Sequence, residues 1–154
     1  MRKTNLIKGI VCGLMLTAVV GTTAFAGTVS RSANLRTVKT YSDTYLGDIG
    51  AYNAYGTYHS STKVAYANLK VQNTYSSVYK FYGDVREWDD VFNYYTASDT
   101  ETQQLAPGGS FTVSIIRDYS YDVVSYYHNA KCYYSPNSDS VILDSYTYEV
   151  LQKN

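Results

Sequence analysis

The chain has 154 residues, with 13 basic and 13 acidic side chains, two Cys, and 19 Tyr against four Phe and one Trp. That length suits one domain, and the sparse basic groups exclude nucleic acid as an expected partner. Two Cys, one of them inside an apolar N-terminal run, exclude a disulfide-stapled scaffold.

Met1 to Ala26 reads as a signal peptide. Arg2, Lys3 and Lys8 form a charged start, Gly9 to Val20 an apolar run, and Ala24-Phe25-Ala26 the small-residue cleavage site. The apolar run is short of the roughly 20 residues of a membrane span. Cys12 lies inside that run and not at the cleavage site, so lipidation is not expected. Cleavage leaves Gly27 to Asn154, with 10 basic and 13 acidic residues and a net charge of −3. The expected location is extracellular or loosely wall-associated. Val150 to Asn154 carries no sorting motif, so covalent anchoring is not expected.

Gly27 to Ala33 is small and polar and is expected to be loose. Leu35 to Tyr45 alternates weakly, as a first strand would, and Leu46-Gly47-Asp48 signals a turn. Ala51 to Val71 carries the clearest pattern in the chain, two alternating runs around Ser60-Ser61. With His59 opposite Thr62, one face pairs Tyr52 with Leu69, Ala54 with Ala67 and Gly56 with Ala65. The other face pairs Tyr55 with Tyr66, Asn53 with Asn68 and Thr57 with Val64. The first face is small and apolar and predicts close approach of a second layer, with Phe81 or Tyr126 filling the space above it. The second face is polar and predicts solvent.

Val78 to Trp88 follows as a strand, with Tyr79, Phe81, Gly83 and Val85 on one face. Lys80, Tyr82, Asp84 and Arg86 lie on the other, expected to be solvated. Val91 to Tyr95 offers a further short strand. Thr96 to Gly109 is polar and non-periodic and closes on Pro107-Gly108-Gly109, which predicts a long crossover between sheets. Phe111 to Arg117 is a strand burying Phe111, Val113 and Ile115. Val123 to Tyr134 is the longest strand, with Val124, Tyr126, His128, Ala130 and Cys132 on the buried face. Ser135 to Ser140 is a turn, and Val141 to Leu151 is the last strand. The mature chain shows no useful helix pattern.

About seven short strands joined by Gly, Pro, Ser and Asp turns define a small all-β antiparallel sandwich. The stretch Leu105-Ala106-Pro107-Gly108-Gly109-Ser110-Phe111-Thr112-Val113 resembles the strand-entry segment of bacterial immunoglobulin-like modules. The resemblance implies an immunoglobulin-like sandwich that adheres or spaces. It carries over no functional residue, and the Cys…Trp…Cys framework of antibody-type domains is missing.

The residues of catalysis do not assemble in the sequence. His59 falls at a hairpin tip. His128 and Cys132 are four residues apart on one strand, about 13 Å, too far for a dyad. The chain is not expected to be an enzyme, and no cofactor or metal is expected. Asp84, Glu87, Asp89 and Asp90 lack the spacing of a calcium loop. Aromatic rings stack on the apolar faces of sugars, and two platforms suggest themselves. One is Trp88 with Tyr94 and Tyr95; the other is Tyr55 with Tyr66 on the outer hairpin face. The expected function is non-catalytic binding or adhesion at the bacterial surface, to a cell-wall polysaccharide or a surface protein. The composition is also similar to that of small bacteriocins of the lactococcin type, which implies a secreted antagonistic protein as the alternative. A wall-polysaccharide-active enzyme is a third reading.

Overall fold

The computed structural model describes residues 28–34, 40–59, 62, 64–118, 123–135 and 137–153. The signal peptide expected at Met1 to Ala26 lies outside these residues. Nine strands form: β1 (Thr28–Asn34), β2 (Thr40–Leu46), β3 (Ala51–His59), β4 (Val64–Gln72), β5 (Tyr79–Asp89), β6 (Tyr94–Leu105), β7 (Ser110–Asp118), β8 (Val123–Ser135) and β9 (Ser138–Lys153). They build a five-stranded sheet, β1-β9-β8-β5-β6, and a four-stranded sheet, β2-β3-β4-β7. The chain changes sheet after β1, β4, β6 and β7, and β1 runs parallel to β9 while the other pairings are antiparallel. This Greek-key order is that of an immunoglobulin-like sandwich.

The alternating pattern placed the faces of the β3–β4 hairpin but not its register. His59 lies opposite Val64, so Tyr52 faces Val71, Ala54 faces Leu69 and Gly56 faces Ala67. The pairing has slid by two residues, which leaves every side chain on its expected face. Tyr52, Ala54, Tyr58, Ala65, Ala67, Leu69 and Val71 are buried. The space directly above Gly56 is filled by Tyr41, from the neighbouring strand of the same sheet. A methyl group there would lie 2.5 Å from the Tyr41 ring and 2.2 Å from the Tyr66 carbonyl oxygen. Gly56 therefore admits a close backbone approach that a larger residue would block.

Two expected loops are strands. Thr28–Asn34 pairs along β9 from Ser145 to Leu151. Tyr94–Leu105 is a twelve-residue edge strand paired with the whole length of β5. Its exposed side chains hide any period, because an edge strand need bury little, and its Thr residues suit extended backbone. The crossover itself is short: Ala106-Pro107-Gly108-Gly109 closes with Gly109 N–H donating to the Ala106 carbonyl at 2.9 Å and Gly108 at φ +79°, a turn that needs glycine there. Asn73 fastens this turn, its side-chain amide donating to the Leu105 and Ser77 carbonyls at 2.8 Å each.

Val91 to Asn93 is also a turn and not the start of a strand. Asp89 organises it by accepting from the Val91 and Phe92 backbone N–H groups at 2.8 and 2.9 Å. Asn93 takes φ +57°, a left-handed conformation Asn tolerates. On β8, Val124, Tyr126, His128, Ala130 and Cys132 all point into the core, as do Phe111, Val113 and Ile115 on β7. Tyrosines span the gap between sheets: Tyr45, Tyr52 and Tyr146 stack at 5.9–6.1 Å between ring centroids.

Candidate ligand-binding groove

β5 and β8 lie side by side near the middle of the five-stranded sheet, with β6 and β9 outside them. On the outer surface, β5 presents Tyr82, Asp84 and Arg86. The register sets these opposite Lys131, Asn129 and Tyr127 of β8. β9 continues the rows with Ser145, Thr147 and Glu149. Together with Tyr95 of β6 these strands enclose a groove of about 520 Å³, lined by Tyr82, Asp84, Arg86, Tyr95, Tyr127, Asn129 and Lys131 among others. A smaller depression of about 210 Å³, bounded by Ser30, Arg31, Ser32, Thr147 and Glu149, adjoins it over β9 and β1.

Polar groups and rings alternate along this surface. Asp84 was expected to be solvated, yet it is only 2% exposed. It is covered because Arg86 folds onto it at 2.6 Å while the Thr100 hydroxyl donates to it at 3.3 Å. The Asp84 bond raises the Arg86 pKa further, so the guanidinium stays charged. Arg86 also lies over the Tyr95 ring, 5.2 Å from its centroid, and Tyr95 meets Trp88 edge-on at 4.7 Å. At the other end the Lys131 ammonium sits 5.6 Å over Tyr82. The Tyr127 pKa is raised, by burial first and then by the nearby Glu149 carboxylate.

The five aromatic residues singled out in the sequence divide between separate places. Trp88 and Tyr95 meet beside the groove. Tyr94 instead faces Asp89 across the pair and packs near Phe92 at 6.4 Å. Tyr55 and Tyr66 lie on the outer face of the four-stranded sheet, 39% and 40% exposed. They are not the cross-strand pair expected, since Tyr55 faces Asn68 and Tyr66 faces Thr57. Tyr82, Asp84, Arg86, Tyr127, Asn129 and Lys131 were missed. The alternation of β5 and β8 marks each as outward-facing, but only the pairing of the two strands brings them together.

The acidic residues near the β5 end serve separate partners. Glu87 faces inward, 2.7 Å from the donating Tyr126 hydroxyl, bonded by the Thr96 hydroxyl and paired with Arg117 at 3.7 Å. Asp89 holds the turn, and Asp90 accepts from the Ser125 hydroxyl at 2.8 Å. Among the described residues no group of three His, Cys, Asp or Glu is arranged to hold a metal ion.

His128 is fully buried. Its Nδ1 is 3.3 Å from the Tyr148 carbonyl, which only accepts, so Nδ1 carries the proton and Nε2 accepts from the Tyr41 hydroxyl at 3.0 Å. Burial lowers its pKa to about 4. Cys132 lies buried on the same face, its thiol pushed up to about 12 by burial and then by Asp144.

No family model and no curated protein matches the chain. Three solved structures are similar to it in shape. The N-terminal domain of PorA is 9% identical with TM-score 0.38, over 83% of this chain and 88% of that one. A β-glucuronidase from glycoside hydrolase family 2 is 14% identical with TM-score 0.33, over 75% of this chain. A family 2 glycosyl hydrolase from Bacteroides cellulosilyticus DSM 14838 is 11% identical with TM-score 0.34, over 72% of this chain. The chain spans 11% and 14% of the length of those two hydrolases. No helix among the described residues is long and apolar enough to cross a membrane.

Proposed function

We propose that the mature chain is a secreted bacterial binding module that holds a cell-wall polysaccharide along the groove of the five-stranded sheet and does not cleave it. The observation that carries this reading is the lining of the groove. Tyr82, Tyr95 and Tyr127 line it with rings that suit apolar sugar faces, and Arg86, Asn129 and Lys131 offer polar groups to sugar hydroxyls. These groups stand on paired strands, so little ordering is left for binding to cost. Glycoside cleavage needs two carboxyl groups flanking the bond, one of them available as an acid. Asp84 is instead committed to Arg86 and Thr100. An extracellular location rests on the N-terminal signal pattern.

The test is affinity electrophoresis of the mature protein through gels holding solubilised wall polysaccharides. Retardation is expected, with most of it lost in Tyr95→Ala and in Tyr127→Ala and none lost in Tyr55→Ser. A folded protein that no wall polysaccharide retards would overturn the reading. So would a Tyr55→Ser variant that loses binding as fully as the groove variants.

A further inference from the structure

We infer that the polysaccharide held in the groove is acidic, and that its carboxylate or phosphate sits on Lys131 at the Tyr82 end. This rests on the groove being the ligand site. The inference comes from what each cation near the groove already does. Arg86 is neutralised by Asp84 at 2.6 Å, and Lys80, one row beyond Lys131, by Asp139 at 2.5 Å. Arg31, beside the adjoining depression, is paired with Asp43 at 2.6 Å. Lys131 makes no ion pair with the described residues. The ring of Tyr82 holds its ammonium in place without cancelling its charge.

The neighbours of Lys131 agree with this. Its partners across the sheet are Tyr82 on β5 and Ser145 on β9, and Thr102 of β6 lies beyond Tyr82. None of these carries a charge. The far end of the groove differs, since Glu149 stands opposite Tyr127 there and repels an anion. The mature chain is net acidic, so a half-buried, unneutralised cation inside a sugar-sized groove is not the general character of its surface. A cation at one end, and the Glu149 carboxylate just beyond Tyr127 at the other, give the groove a direction. An acidic group on the ligand settles at Lys131 and the neutral sugar face spreads toward Tyr127.

The experiment is titration calorimetry of the mature protein with four polymers: polygalacturonate, poly(glycerol phosphate), dextran and mannan. A charge-assisted contact predicts that at least one acidic polymer binds about tenfold tighter than the neutral ones. The two acidic polymers separate a carboxylate from a phosphate source. The preference should vanish in Lys131→Gln, return in Lys131→Arg, and persist in Lys70→Gln, which removes the same charge from the outer surface of β4. It should also weaken as salt rises from about 50 to about 500 mM. Equal binding of neutral and acidic polymers, or a preference that survives Lys131→Gln, overturns the inference and leaves the groove as a neutral-sugar site. No binding of any polymer by folded protein overturns the groove reading as well.

Discussion

Replacing Asp144 by Asn should change how the stability of this protein depends on pH. Asp144 is 4% exposed and lies against the turn after β2, where a methyl group on Gly47 would collide with its carboxyl. The Tyr52 hydroxyl lies beside it. Burial raises the Asp144 pKa to about 6, and the Asp48 carboxylate adds to the rise. A raised carboxyl pKa means that the folded state binds the proton more tightly than the unfolded chain. The stability it contributes is present at low pH and is lost as pH rises through about 6. At about 1.4 kcal/mol per unit over about two units, the loss is about 3 kcal/mol. His128 acts with the opposite sign. Its folded pKa of about 4 lies below its ordinary value of 6.5. The unfolded chain therefore takes the proton first, and stability falls by about 3 kcal/mol as pH drops through this window. Between pH 4 and 6 the two slopes nearly cancel in the parent. Urea unfolding of Asp144→Asn beside the parent, from pH 4 to 7, should show the variant gaining about 3 kcal/mol relative to the parent as pH rises. His128→Gln should gain relative to its parent as pH falls. Subtracting the parent removes the other titrating groups. A flat Asp144→Asn difference, or one that falls with rising pH, would refute the reasoning.

Gly56→Ala should cost about 1–3 kcal/mol in urea unfolding, because the Tyr66 carbonyl cannot retreat without disturbing the β3–β4 ladder. Ala67→Leu should cost about 1–3 kcal/mol by overpacking the inner face, whereas Tyr55→Ser on the outer face should cost no more than about 1 kcal/mol; the reverse order would mean that the faces are misassigned. Cys132 should resist a thiol reagent in the native protein and react after denaturation, since its thiol is buried and held protonated. Mass spectrometry of the exported protein should show Gly27 as its first residue, and a start upstream of Ala24 would contradict the signal-peptide reading.

Alternation in the sequence placed the faces of β3, β4, β7 and β8, because each buries one side and leaves the other wet. It could not fix the hairpin register beyond odd or even. Shifts of two residues keep every face, so the choice between them falls to the loop and the packing partners. Thr28–Asn34 was opaque for a different reason. Its small polar residues do not form a strand unaided, and they pair because β9 is long enough to offer a parallel edge. Tyr94–Leu105 was hidden because an edge strand can be polar along most of its length. The groove needed one fact more. Tyr82 and Lys131 are far apart in the chain and meet only through the β5–β8 pairing. The sequence marks each residue's outward direction, but not which strands are neighbours.

The tyrosine content misled in the same way, since one residue type does two jobs that composition cannot separate. Inside the sandwich, phenol rings fill a gap of about 10 Å between sheets, and each hydroxyl carried inward needs a partner. Tyr41 meets His128, Tyr126 meets Glu87 and Tyr146 meets Asp43 at 3.0 Å. These pairings explain why a core without a disulfide contains a histidine and acidic groups. On the outer surface of the five-stranded sheet the partners are cations: Lys131 over Tyr82, Arg86 over Tyr95 and Lys80 over Tyr133. The chemistry of the partner therefore sorts the tyrosines. Tyr41, Tyr126 and Tyr146 hold the sheets together through His128, Glu87 and Asp43, while Tyr82, Tyr95 and Tyr133 lie beneath cations on the outer surface. Lys80 and Arg86 are already neutralised by Asp139 and Asp84. Among the described residues, Lys131 over Tyr82 has no such acidic partner, which is why the proposed ligand's acidic group is placed there.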